Sequence, residues 1–269
     1  MYWDIQREGG FDFTNLNRNQ SIEKGQKVVY TKTGTTIVGC VYNGGVVLGA
    51  DTRATTGSIV ADPDSIKIHY LAPNMYCCGA GTAADLRMVT RMMASELEMQ
   101  RLYTGRESRI SHAECRLVNH LFKHMGYIGA ALIIGGVDVT GPHLVQIDPY
   151  GCHKRLPFIT MGSGSLAAMS VLEIGYKDNM TKEEAVNLVK DAIEAGIFND
   201  EGSGSNVNVF VVTREGCEKL MHYRVYNKKE FHDPNMHRFN NGITKVIEEV
   251  KKNWKSVKVE EGALPMDLE

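Results

Sequence analysis

The stretch TTIVGCVYNGGVVLGADTRAT, residues 35–55, decides the fold. It holds two β-rich runs, TTIVGCVY and VVLGADTR, on either side of Asn43-Gly44-Gly45. Asn-Gly between two such runs is the strongest short signal for a β-hairpin. The hairpin begins abruptly, with two threonines behind a lone glycine, Gly34-Thr35-Thr36. What precedes it is different in kind. Residues 1–34 are rich in Asn, Gln, Arg, Lys and Gly, show no sustained periodicity, and read as a leader or pro-segment.

Downstream of the hairpin the pattern alternates in blocks. IVADPDSIKIHYL (59–71) reads as a strand broken by Pro63, and NMYCCGAG (74–81) as another. The period then changes to 3.6. A helix is predicted from Thr82 to about Tyr103, with Met88, Val89, Met92, Met93 and Leu97 on its core face, Thr82 as N-cap and Asp85 in its first turn. SHAECRLVNHLFKHMG (111–126) predicts a second helix, capped by Ser111 and stopped near Gly126. Strands follow at GAALIIGGVD (129–138) and HLVQIDPYG (143–151). LAAMSVLEIGY (166–176) and TKEEAVNLVKDAIEAGIF (181–198) predict helices, the latter with a Thr181/Glu184 capping box. NVNVFVVTREG (206–216) is a final core strand. Strands, two helices, strands, two helices and a strand form segregated runs, which argues for an α+β layered domain of two antiparallel sheets between helix layers. The chain after Tyr226 is polar and charged and reads as an extended arm.

Composition excludes several classes. With 269 residues the chain has ample length to bury a core, and its formal net charge of −2 gives no basic field for nucleic acid or an anionic membrane. No apolar run approaches a membrane span, and MYWDIQREGG lacks the pattern of a signal peptide. The six cysteines form no CxxC pair, and no HExxH occurs, so no metal and no cofactor are expected. The cysteines read as free thiols of a reducing compartment.

Neither P-loop nor GxSxG is present, and the Gly-Ser loops GSGSLAAM (162–169) and GSGSNV (202–207) are weak signals taken alone. The stronger candidates are Thr35, Asp51 and Lys67, although a structural ion pair accounts equally well for the last two. A threonine hydroxyl is a poor nucleophile without a base. One route needs no histidine. If the chain is cut between Gly34 and Thr35, the threonine gains a free α-amine, whose pKa of about 7.7–8.0 in model compounds suits a general base. Nucleophile and base then share one residue, and the uncut precursor is inert.

Several motifs in one order carry a resemblance: TTIVGCVYNGGVVLGADTRAT, SIKIHY (65–70), YCCGAGTAAD (76–85), GYIGAALIIGGVDVTGPHL (126–144), TMGSGSLAAM (160–169) and AGIFNDEGSGSNV (195–207). Together, from about Thr35 to Arg214, they resemble a proteasome 20S core beta subunit, most of all the trypsin-like catalytic type. The resemblance implies an N-terminal nucleophile hydrolase fold, a four-layer αββα sandwich. It implies a propeptide at residues 1–34, a catalytic domain at 35–223 and an arm at 224–269.

It also implies roles. Thr35 is the nucleophile exposed by autolysis at Gly34–Thr35, Lys67 adjusts its protonation, and Asp51 pairs with Lys67. Ser163, Asp200 and Ser203 order the threonine amine and a water, and the Gly81 N–H forms the oxyanion hole. Substrate is expected to lie as an added strand along Thr55 and Gly81, with its first side chain in a pocket at Gly79, Ala83, Asp85 and Arg87. The family pattern has an acidic residue where Arg87 stands. The implied partners are other alpha and beta subunits in stacked rings and unfolded polypeptide substrates, and the implied location is the cytoplasm and nucleus. Two alternatives stay open: a non-catalytic ring subunit, and a stand-alone amidase of the same fold.

Overall fold

The computed structural model describes residues 34–226 except Ser58. The leader before Gly34 and the arm beyond Tyr226 lie outside the described residues. The elements run β1 (Thr36–Tyr42), β2 (Gly45–Asp51), β3 (Ala54–Thr56), β4 (Ile59–Asp62), β5 (Ile68–Ala72), β6 (Met75–Gly81), α1 (Ala83–Thr104), α2 (Ile110–Lys123), β7 (Ala130–Asp138), β8 (Gly141–Ile147), β9 (His153–Arg155), β10 (Phe158–Gly162), α3 (Ser165–Gly175), α4 (Lys182–Asn199), β11 (Asn206–Thr213) and β12 (Gly216–Val225).

Two five-stranded antiparallel sheets form the centre, ordered β10-β1-β2-β11-β12 and β5-β6-β7-β8-β9. The hairpin read at Asn43-Gly44 is present, with Tyr42 opposite Gly45 and Gly44 at φ +115°. Alternation along the central strands explains the layering. Ile37, Leu48, Ile133 and Phe210 point into one cluster between the two sheets. Their neighbours Val38, Val47 and Val209 turn the other way, against Ala168 and Leu172 of α3 and Val189 and Ile193 of α4. On the far side Leu132 and Ile134 meet Val89, Met93 and Leu97 of α1 and Leu117 of α2. Both faces of each central strand are covered, so the sequence there is an almost continuous apolar run. Each such side chain contributes roughly 1.5–3 kcal/mol by leaving water. The result is a four-layer αββα sandwich.

Several local expectations change. IVADPDSIKIHYL divides at Pro63 into β4, which pairs only with β3 in a two-stranded sheet, and β5, an outer strand of the second sheet. Ser111 does not cap α2. The N-cap position is Arg109, and the Asp138 carboxylate from β7 accepts the Ile110 N–H at 3.2 Å. Thr82 does occupy the N-cap of α1, but its side chain makes no capping bond. The Thr181/Glu184 capping box is complete. Met88 is exposed, so the core face of α1 is carried by Leu86, Val89, Met93 and Leu97. Strands β9, β10 and β12 were not read from the sequence, and β12 carries regular structure past position 223 to Val225.

Candidate active site

The ladders bring one end of each sheet together. In the first sheet Thr36 lies opposite Gly162, Ile37 opposite Ala50, and Val207 opposite Asp51. The start of β1, the ends of β2 and β10 and the start of β11 therefore share one rim. The second sheet contributes the entry to β5, where the Lys67 carbonyl accepts the Gly79 N–H at 3.1 Å, and the end of β6 at Gly81. Residues spread over 170 positions of sequence meet there because of strand register.

Thr35 is buried at this rim, immediately before β1. Its hydroxyl donates to the Gly34 carbonyl at 2.7 Å. Lys67 Nζ lies 3.1 Å from Thr35 Oγ1, 3.1 Å from the Gly34 carbonyl oxygen and 2.8 Å from Asp51 Oδ1. Asp51 is completely buried and also accepts the backbone N–H groups of Thr36 at 2.9 Å, Arg53 at 3.2 Å and Gly204 at 3.1 Å. Burial pushes the Lys67 ammonium below the usual lysine range, against the pull of the Asp51 carboxylate. Burial likewise pushes Asp51 up, opposed by Lys67 and by the backbone donors. An amine held in this way offers its neutral form closer to neutral pH than a surface lysine does.

A second set approaches from the other side. The Thr35 N–H donates to Ser163 Oγ at 3.0 Å. Ser163 and Ser203 both donate to Asp200 Oδ2 at 2.6 Å. The two Gly-Ser loops that are weak signals in isolation are thus joined through one carboxylate. Gly34 is held as closely: its N–H meets Thr55 Oγ1 at 3.3 Å, and a Cβ on it would run into the Gly202 backbone. Only glycine fits at this junction.

Thr35 borders two clefts. One, of about 610 Å³, is lined by Lys67, Gly79, Ala83, Arg87 and two carboxylates, Asp62 and Asp64. The other, of about 480 Å³, is lined by Gly81, Gly129, Tyr150, Gly162 and Ser163. Gly81 sits at φ +130°, where a side chain would strike the Gly129 carbonyl. Asp85 is not brought to the first cleft. Its carboxylate accepts the Gly129 N–H at 2.8 Å, which ties the start of α1 to β7. Arg87 does face the first cleft, together with Arg91 from the next turn of α1. Burial, and secondarily the Arg87 charge, depress the pKa of His69 on the same wall.

Two residues escaped the sequence reading. Arg53 donates to the Glu201 carbonyl at 3.2 Å and packs its guanidinium on Gly204, pinning the turn that carries Ser203. Thr36, with no exposed surface, sets its hydroxyl 2.8 Å from Ser203 Oγ. The only sequence signals were their positions beside Asp51 and Thr35. All six cysteines are unbridged. Among the described residues no cluster of His, Cys, Asp and Glu is arranged to hold a metal ion, and no helix is long and apolar enough to cross a membrane.

Comparison with known proteins agrees with the αββα fold. A family model described as "Proteasome subunit" matches residues 31–212. "Proteasome subunit beta type-7" of Dictyostelium discoideum is 54% identical over 243 residues, covering 90% of this chain and 91% of that protein. "Proteasome subunit beta type-7-B" of Arabidopsis thaliana is 54% identical over 230 residues, 85% of this chain and 84% of that protein. "Proteasome subunit beta type-10" of Bos taurus is 45% identical over 269 residues, with 98% of each chain covered. Sequence likeness at that level over nearly the whole length, on a matching fold, makes this chain a member of the proteasome subunit family, as a beta subunit.

Proposed function

We propose that the chain is a catalytic beta subunit of the 20S core, a threonine endopeptidase that hydrolyses unfolded polypeptides after cutting itself between Gly34 and Thr35. The observation that carries this reading is the buried set at the junction: one lysine within 3.1 Å of both the Thr35 hydroxyl and the Gly34 carbonyl oxygen, with Asp51 behind it. In the precursor the Thr35 hydroxyl attacks the Gly34 carbonyl carbon and gives its proton to neutral Lys67. The peptide bond breaks as the nitrogen is protonated, leaving residues 1–34 as an ester on Oγ. Water hydrolyses the ester, which frees the leader and the Thr35 amine.

In the mature chain the same hydroxyl attacks a substrate carbonyl. Lys67 and the free amine manage the proton, Ser163, Asp200 and Ser203 orient the amine, and the Gly81 N–H faces the developing oxyanion. The other proteasome alpha and beta subunits are its partners, the particle works in cytoplasm and nucleus, and the unbridged thiols fit a reducing compartment. Mass spectrometry of assembled particles should find a chain beginning at Thr35, and an epoxyketone probe should modify Thr35. An intact Gly34–Thr35 bond with no adduct would leave the non-catalytic ring subunit as the better reading.

The finer reading is a preference for basic side chains at the first pocket, supported by the Asp62 and Asp64 carboxylates in the first cleft. Arg87 and Arg91 oppose it, since two like charges about 4 Å apart repel by about 1 kcal/mol even in water. Arg87→Glu exchanges repulsion for attraction at one position. We expect it to raise the kcat/KM ratio of Arg- over Leu-terminated fluorogenic peptides by about tenfold. An unchanged ratio would show that the Arg87 charge does not reach the bound side chain.

A further inference from the structure

The hydrogen bonds around Asp200 assign a direction to every proton in the relay, and they make Thr36 its terminal donor. The Asp200 Oδ2 oxygen accepts from both serines. Ser203 has a single hydroxyl proton and spends it on Asp200 Oδ2 at 2.6 Å. Thr36 Oγ1 lies 2.8 Å from the same serine oxygen, so the Thr36 hydroxyl has to be the donor in that pair. Ser163 likewise points its proton to Asp200 Oδ2 at 2.6 Å rather than to the Thr35 carbonyl at 3.3 Å. Ser163 Oγ is then left as the acceptor that faces the Thr35 nitrogen at 3.0 Å. The relay runs from Thr36 to Ser203 to Asp200 on one side, and from Thr35 N–H to Ser163 to Asp200 on the other.

The fold fixes Thr36 in this pose from every direction. Its main-chain N–H is tied to Asp51 Oδ1 at 2.9 Å, and its side chain has no exposed surface. Gly164 and Gly196 leave the space it occupies, because a Cβ on either would strike the Thr36 hydroxyl. Register adds to this, since Thr36 lies opposite Gly162 at the rim. Thr36 therefore contacts both halves of the site: the Asp51–Lys67 pair through its backbone, and the Ser203–Asp200–Ser163 relay through its hydroxyl.

We propose that Thr36 is a positioning residue for the reaction, whose hydroxyl donates to Ser203 Oγ, holds the Ser203 proton on Asp200 and so helps orient the Thr35 amine. The proposal rests on the peptidase reading above. Without the Thr36 donor, the Ser203 oxygen loses its partner and its hydroxyl is free to turn from Asp200. Asp200 then keeps more of its negative charge toward Ser163 and the amine, and the amine holds its proton more tightly. The charged groups around this end of the relay are Asp200, Asp51, Lys67 and Arg53.

The test compares assembled particles carrying wild-type chain, Thr36→Val, Thr36→Ser, Ser203→Ala and the double variant Thr36→Val with Ser203→Ala. Valine keeps the shape and removes the proton donor. It is expected to lower kcat about tenfold with KM little changed, and to move the acidic limb of the pH–rate profile to higher pH. Thr36→Ser, which restores the hydroxyl, should bring both back toward wild type. Adding Thr36→Val to Ser203→Ala should cost nothing further, because Thr36 acts through that serine. Where a variant stays uncut, the rate of Gly34–Thr35 cleavage is the readout, with the same order expected. An unmoved pH limb in Thr36→Val, a serine variant no better than valine, or losses that multiply with Ser203→Ala would each overturn the proposal. Absence of a Thr35 adduct in wild-type particles would instead remove the peptidase reading beneath it.

Discussion

Thr35→Ala is expected to leave the chain uncut at Gly34–Thr35 and to abolish its share of peptide hydrolysis, by on the order of 10⁴-fold or more. The expectation follows from the junction itself. The Thr35 hydroxyl is the group that Lys67 and the Gly34 carbonyl oxygen both contact, so on the proposed peptidase reading one substitution removes the nucleophile of self-cleavage and of turnover together. Thr35→Ser keeps the hydroxyl and should still be cut, at a reduced rate, because the methyl that fixes the rotamer is gone. The measurement is the N-terminal mass of this chain in assembled particles, read beside hydrolysis of fluorogenic peptides. A mature N-terminus at position 35 in the alanine variant would mean that another agent cuts the leader. The close fit at Gly34 sharpens the comparison: the junction is held against the Gly202 backbone, so failure to cut in Thr35→Ala is expected to reflect the missing oxygen while the bond stays in place.

What was legible in the sequence, and what was not, follows from how local each signal is. The hairpin at Asn43-Gly44, the long α1 and the boxed N-terminus of α4 announce themselves within a few residues. Strands β9 and β12 do not. The first has three exposed residues, and the second is an edge strand whose Lys, Glu, His and Arg side chains face solvent, so neither shows an apolar rhythm. β10 is short and starts directly behind Pro157, which masks it as a turn. The start of α2 escapes local rules for a related reason: its Ile110 N–H is satisfied by Asp138, 28 residues away.

The site divides in the same way. Thr35, Asp51 and Lys67 stood out as residue types at the ends of β runs, and the motif order of a family supplied their grouping. That Ser163 and Ser203 share one oxygen of Asp200 is a consequence of ladder register between β1, β2, β10 and β11. Asp85 shows the opposite failure: an acid at a promising position is spent on the Gly129 amide, while Asp62 and Asp64, unremarkable in sequence, line the cleft.

The Lys67–Asp51 pair gives the second large effect, and it separates structure from chemistry. Lys67→Ala strands a fully buried carboxylate with three backbone donors and no cation, which should cost about 3–5 kcal/mol and lower the unfolding temperature by roughly 10 °C. Asp51→Asn is milder in stability, because burial already presses Lys67 toward its neutral form and the lone amine can shed its proton. Both variants should fail to cut Gly34–Thr35, by three orders of magnitude or more in rate, since one lacks the proton acceptor and the other its anchor. Lys67→Arg is the discriminating case. A guanidinium can keep the ion pair with Asp51 but stays protonated at any accessible pH. If Lys67 works by accepting the Thr35 proton, the arginine variant regains most of the lost stability and remains as inactive as alanine. Appreciable cleavage by Lys67→Arg would instead assign the lysine a purely electrostatic role at the Gly34 carbonyl. Thermal unfolding of the particles and the N-terminal mass of this chain read the two quantities independently, and we expect them to part company in this one variant.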